Sequence, residues 1–153
     1  VTPHLESSYQ KIVEELLKTI TPMFKDVVNQ RIHGDSHRGN ILYGSEGLFM
    51  VDFDDMLMGP PVQDLWLAFP GRDQETKIQR ELFLEAYETL NDFNYSTLKL
   101  IEPLRALRFI HFSAWIGKRF EDESFKRNFS FYGTPEYWSG QIADIRDQLE
   151  FIQ

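Results

Sequence analysis

The run His33-Gly34-Asp35-Ser36-His37-Arg38-Gly39-Asn40 is polar and carries two glycines, which marks a loop rather than a helix or a strand. Ile41-Leu42-Tyr43 follows as a short strand, Gly44-Ser45-Glu46-Gly47 as a turn, and Leu48-Phe49-Met50-Val51 as a second strand. These two runs predict a hairpin whose outer ends present Asn40 and Asp52. Val27-Val28 and Ile32 lead into the loop from the other side.

Helical patterns surround this centre. Ile12, Leu16, Leu17 and Ile20 recur at helical spacing from Glu6 to about Phe24, with Thr21-Pro22 bending or ending the helix. After Gly59-Pro60-Pro61 everything reads as helix. A short apolar helix over 62–69 contains one acid, Asp64. An amphipathic helix runs from Asp73 or Gln74 to Leu90, with Ile78, Leu82, Phe83, Ala86 and Tyr87 on one side. A longer helix starts after Ser96 and reaches about Phe120, with Pro103 near its beginning or at a break. Its stretch 104–116 is apolar nearly all round and is expected to be buried. A last helix runs from Pro135 or Glu136 to Phe151. The expected fold class is α+β, mostly α-helical, with a small hairpin holding the polar loop.

Composition removes several function classes. The chain has 153 residues, about the size of one domain, and is read as a single domain over 1–153. Sixteen basic against twenty-four acidic residues give a formal charge of −8, with no cluster of Lys and Arg suited to a nucleic-acid backbone. No stretch approaches the roughly 20 uninterrupted apolar residues of a membrane span. Val1-Thr2-Pro3-His4 has neither the basic flank nor the apolar run of a signal peptide. There is no cysteine, hence no disulfide framework and no thiolate metal site. A cytoplasmic address fits these facts.

The loop and the strand end carry groups that transfer of a γ-phosphoryl group needs. One carboxylate must orient and deprotonate the acceptor hydroxyl, and Asp35 can do so. A few hard oxygen ligands must hold Mg²⁺, since nucleotide phosphates and water supply the rest. Asn40 and Asp52 can serve, brought together across the hairpin although twelve positions apart.

His33, Asp35 and Asn40 keep the register of the His-Arg-Asp…Asn catalytic loop of kinases, and Asp52-Phe53 stands where their metal-binding Asp-Phe would. The form His-Gly-Asp-x-His-x-x-Asn resembles the aminoglycoside phosphotransferase and choline kinase branch of the protein-kinase-like superfamily. The segments 51–55, 59–66 and 103–108, and the tail from Ala114-Trp115 through Tyr137-Trp138, resemble the bacterial stress response kinase A family within it. The resemblance covers nearly the whole chain from Gln30 onward.

It implies a cytoplasmic, Mg²⁺-dependent Ser/Thr protein kinase of two lobes that uses ATP. By motif, Asp35 is the proton acceptor and Asn40 and Asp52 are the metal ligands. Asp64 is the acid that hydrogen-bonds the catalytic loop from the helix beneath. His37 takes the place of the lysine that faces the transferred phosphate. A small-molecule alcohol such as an aminoglycoside, choline or homoserine is the alternative acceptor, because that branch shares the loop. Two departures stand out. Asp54 replaces the glycine of Asp-Phe-Gly, and neither a Gly-rich loop nor a strand lysine is present. The chain therefore reads as the C-terminal lobe without its N-terminal lobe, and on its own it is expected to bind ATP poorly.

Each residue also has a plainer reading. His33 reads as a packed brace for the loop rather than a participant. His37 stands open between a phosphate contact and a structural role. Asp54 is read as adjacent to the site, and Asp55 is left open. Asp64, flanked by Leu65, Trp66 and Leu67, is expected to be buried among donors. Phe109, Phe112, Trp115 and Phe120 read as core, and Arg105, Arg108, Lys118 and Arg119 as solvated helix faces. Two other classes were weighed. A His33-x-Asp35-x-His37 strand with Asp52 or Asp54 could ligate Zn²⁺ for hydrolysis, although it leaves Asn40 unexplained. A non-catalytic interaction module is the other.

Overall fold

The computed structural model describes residues 3–153; Val1 and Thr2, which head the segment without a leader pattern, lie outside the described residues. The chain forms two compact units, one of Val1–Lys25 with Glu102–Gln153 and one of Asp26–Ile101.

The first unit is helical. It contains α1 (Pro3–Ile20), α4 (Ile101–Arg119, apart from its first residue), α5 (Glu123–Asn128) and α6 (Pro135–Ile152). The four-residue spacing of Ile12, Leu16 and Ile20 puts them on one face of α1, where all three are buried against Ile142, Ile145 and Leu149 of α6 and Ala106 of α4. Each such side chain contributes about 1.5–3 kcal/mol on burial. Leu17, expected with that stripe, is largely exposed, because it sits one position round the helix from Leu16. α1 ends at Ile20 and gives way to a 3₁₀ turn over Thr21–Phe24, with Pro22 in its first positions.

Four findings in this unit differ from expectation. α4 is not buried all round: Ala106, Ser113 and Ile116 are buried, whereas His111, Phe112 and Ala114 on the other side are exposed. α4 also starts at Ile101, after a 3₁₀ turn over Tyr95–Leu100, so Pro103 falls in its first turn, where its missing N–H costs nothing. The short helix α5 was not anticipated; the Asp122 carboxylate nucleates it by accepting from the Ser124 and Phe125 amides. Of the aromatics read as core, none is buried: Phe112 is exposed, and Phe109, Trp115 and Phe120 are partly so. Trp115 contacts Phe112, Phe125 and Phe129, with the Arg119 guanidinium 4.6 Å from its ring centre. Buried Ser113 donates to Gln141 Oε1 at 2.8 Å, so the hydroxyl of Tyr137, 2.7 Å away, must donate to it.

The second unit holds the polar loop. Strands β1 (Gln30–Ile32) and β4 (Leu57–Gly59) pair antiparallel, with Arg31 opposite Met58. β2 (Ile41–Gly44) and β3 (Gly47–Met50) form the expected hairpin, with Ile41 opposite Met50 and Gly44 opposite Gly47. Helices α2 (Val62–Ala68) and α3 (Gln74–Tyr87) follow. Val62, Leu65, Trp66 and Leu67 of α2 are buried, which anchors the helix that carries Asp64. On α3 the buried residue is Leu84, while Ile78 and Leu82 of the expected stripe are exposed. Among the described residues no helix is long and apolar enough to cross a membrane.

Candidate functional site

The loop is built on the Asp64 carboxylate. Its Oδ2 accepts from the His33 amide at 2.8 Å and its Oδ1 from the Gly34 amide at 2.9 Å, so both oxygens are engaged on consecutive backbone donors. The backbone oxygen of Asp64 accepts from Ser36 Oγ at 2.7 Å. Asp64 itself is half-buried rather than fully enclosed. Gly34 lies at φ +84°, and a Cβ there would stand 2.3 Å from the Asp55 carbonyl oxygen and 2.6 Å from a Leu57 methyl. Only glycine fits both that backbone and that space.

His33 is buried, and its ring works as a two-sided fastener. Nδ1 accepts from the Asp35 amide at 3.3 Å, which fixes the proton on Nε2, and Nε2 donates to the Val51 carbonyl at 3.0 Å. The Phe53 ring lies 4.7 Å from it, centre to centre. Both nitrogens are thereby committed to backbone, and the His33–Asp35–His37 zinc arrangement does not form. Among the described residues no group of three or more His, Cys, Asp or Glu is arranged to hold a metal.

Asp35 sits between its neighbours with its side chain 17% exposed. Asn40 Nδ2 donates to the Asp35 carbonyl at 2.9 Å and lies 3.5 Å from its Oδ2. His37 Nδ1 accepts from the Gly39 amide at 3.0 Å, capping the 3₁₀ turn Arg38–Asn40, so its Nε2 carries the proton and faces Asp35 Oδ2 at 3.4 Å. The imidazole is thus turned onto the Asp35 carboxylate.

The Val51 amide donates to the Asn40 carbonyl at 3.0 Å, which continues the hairpin ladder one step past Ile41 and Met50. That step puts Asn40 and the residue before Asp52 opposite each other. Asp52 is exposed and left-handed, at φ 63° and ψ 66°, a conformation that costs a residue with a Cβ on the order of 1 kcal/mol. Its carboxylate makes no capping bond to the 3₁₀ turn Phe53–Asp55 that it precedes. Asp54 and Asp55 are exposed within that turn. Asn40 is 8% exposed, and its amide nitrogen, not its oxygen, makes the bonds to Asp35. The hairpin's open end thus carries one side-chain amide, at Asn40, and one carboxylate, at Asp52, oxygens of the kind Mg²⁺ takes.

Comparison with known proteins bears on what this arrangement belongs to. The model of the phosphotransferase enzyme family matches residues 3–101. The chain belongs to the phosphotransferase enzyme family. Among its curated relatives, stress response kinase A of Escherichia coli (strain K12) is 38% identical over 150 residues, 97% of this chain and 45% of the relative. A Salmonella typhimurium (strain LT2) protein named serine/threonine protein kinase RdoA is 36% identical over 148 residues, 96% of this chain and 45% of the relative. The chain thus spans somewhat under half the length of these relatives. A solved structure of amicoumacin kinase hAmiN in complex with AMP-PNP, Ca²⁺ and Ami shares its kinase-like fold at TM-score 0.63 and 20% identity, covering 98% of this chain and 46% of that one.

Three supports of the loop were not read from the sequence. Arg38 ties its outer turn to the following helices, with Nε donating to the Ala68 carbonyl at 3.3 Å and Nη2 to Gln79 Oε1 at 3.0 Å. Ser36 and Phe53 brace the inner side. The partners of Arg38 lie 30 and 41 positions away, beyond any local pattern.

Proposed function

We propose that the protein transfers the γ-phosphoryl group of ATP to a serine or threonine hydroxyl of a protein substrate, with Asp35 as base and Asn40 and Asp52 as the residues that hold Mg²⁺. The observation that carries this reading is one bonded frame. Asn40 grips Asp35 through its side chain and Val51 through its backbone, while His33 joins the Asp35 amide to the Val51 carbonyl. Base and oxygen donors are held together by backbone bonds, as positioning catalysis requires.

In this reading Asp35 takes the proton of the acceptor hydroxyl as its oxygen bonds to the γ-phosphorus, and the bond from that phosphorus to the bridging oxygen of ADP breaks. The Nε2–H of His37 steadies the Asp35 carboxylate, and in this reading it is also the donor that would meet a phosphate oxygen. Asp64 holds the loop that presents them. Mg²⁺, when bound with ATP, supplies neutralisation of the charge that develops on the phosphates. Asp54 stands beside the site. The name of the Salmonella relative, a serine/threonine protein kinase, supports a protein acceptor, and that of the Escherichia coli relative supports an enzyme of the stress response kinase A type; ATP as donor and a cytoplasmic address are part of the same proposal. We further infer that residues 1–153 form a catalytic lobe that does not turn over ATP alone, since their sequence holds no Gly-rich phosphate loop.

A small-molecule hydroxyl is the second reading, favoured by one observation. The solved neighbour of the same fold was captured with a nucleotide analogue, a divalent cation and a small ligand.

One assay separates them. The full-length protein is incubated with radiolabelled ATP and Mg²⁺, with and without a generic protein substrate. Label in protein is the expected result, while ATP consumption only with added alcohols moves the assignment to a small acceptor. Asp35→Asn should lower turnover by about 10²–10⁴-fold with nucleotide affinity kept. Asp52→Gly, which tolerates the left-handed backbone and leaves no oxygen donor, should instead remove Mg²⁺-dependent nucleotide binding. Full activity in the Asp35 variant sinks the base assignment.

A further inference from the structure

A cavity of about 390 Å³ lies inside the second unit, and its wall includes His33 and Ser36 but not Asp35, Asn40 or Asp52. Protein interiors keep few voids larger than a water molecule, and a cavity of about 150 Å³ already binds benzene. This one has room for two fused rings.

The chemistry of its wall selects the occupant. Ile32, Leu65, Leu84 and Phe93 are buried apolar residues on the lining. Arg31, on the same wall, is exposed to solvent, and the other polar side chains there are bonded to protein. Both His33 nitrogens are engaged, Ser36 donates to the Asp64 backbone, the Asp64 carboxylate holds two amides, and Gln30 Nε2 donates to the Tyr87 hydroxyl at 3.2 Å. Water bound there would find few partners, and a charged ligand would lose its hydration without compensation. Met50, Phe53, Met56 and Phe83, which also line the cavity, are 42–50% exposed and mark its mouth.

We propose that this cavity is a binding site for a small, uncharged, apolar molecule of one or two rings, seated behind the polar loop. His33 and Phe53 belong both to this wall and to the frame under Asp35 and Asp52, so an occupant acts on the loop from its far side. The binding claim stands apart from the phosphotransfer reading, and its test does not use activity.

The probe is naphthalene, titrated into the full-length protein with ¹³C-methyl methionine, resonances being assigned by single Met→Leu replacements. Met50 and Met56 line the cavity, whereas Met23 and Met58 do not. Saturable shifts of the Met50 and Met56 methyls, with Met23 and Met58 still, are expected, and the amides of residues 33–40 should move with the same saturation. Ala68→Trp places an indole, itself two fused rings, in the space and should abolish the response; Leu84→Trp serves should the first variant fail to fold. The charged analogue 2-naphthoate should bind at least tenfold more weakly. The proposal is overturned by silent Met50 and Met56 methyls at the solubility limit, by unsaturable movement of all four, by undiminished binding in folded filled variants, or by equal binding of 2-naphthoate.

Discussion

Asp64 shows how one side chain can organise a site without touching a substrate. Its two oxygens face two N–H donors, an arrangement that an amide cannot match, because one of the pair would then meet another N–H. Asp64→Asn should therefore destabilise the protein by about 1–3 kcal/mol, the cost of a buried donor left without an acceptor. Urea denaturation measures it, and an unchanged midpoint would show that the loop does not depend on this carboxylate. The acid was legible in the sequence as a charge inside an apolar helix, and Gly34 as a loop glycine. What was not legible is how each is used. The carbonyl of Asp55 that bars a Cβ at Gly34 comes from a segment 21 positions on, and the tautomers of His33 and His37 follow only from which amides reach them.

At the scale of elements, local chemistry was readable and long-range pairing was not. The turn residues 44–47 gave the β2–β3 hairpin, and Pro135 after Thr134 gave the start of α6, whose cap is Thr134 Oγ1 accepting from the Tyr137 amide at 3.2 Å. β1 and β4 are three residues each and only meet through the fold, so nothing in either run announces the other. The expected stripe on α3 failed because apolar residues recur on more than one side of that helix; burial selected Leu84. The signal for α5 was present in Asp122-Glu123-Ser124, a capping residue followed by an acid.

The caps also carry a pH dependence. Hydrogen bonds from the Thr76 amide and hydroxyl hold the Asp73 carboxyl below its ordinary value, and the Ser124 hydroxyl, with the Phe125 and Ser124 amides, does the same for Asp122. A carboxylate depressed in the folded state stabilises fully above the unfolded value near about 3.9, and the contribution is lost as pH falls through the lower folded value. The Thr76, Ser124 and Phe125 amide resonances should titrate with midpoints below that ordinary value, while the Tyr137 amide, capped by a hydroxyl, stays put. Midpoints at or above it would refute the depressed carboxyls.

At the scale of the molecule, the hairpin exposes a continuous run of apolar residues. Tyr43 and Leu48 are 87% and 72% exposed, and Leu42, Phe49 and Met50 are about half so. Contiguous apolar surface of this kind promotes association. Residues 1–153 in isolation should self-associate with rising concentration, and Leu48→Lys should shift them toward monomer, as light scattering after size exclusion would report. A concentration-independent monomer for the unsubstituted chain would count against the hairpin as the sticky surface. The His33 ring has a consequence of a different kind. It bonds the amide at Asp35 and the carbonyl at Val51 together, so the loop and the strand end are fastened to each other. If Asp35 is the base and Asp52 a metal ligand, as proposed, the two halves of the site would open or close as one.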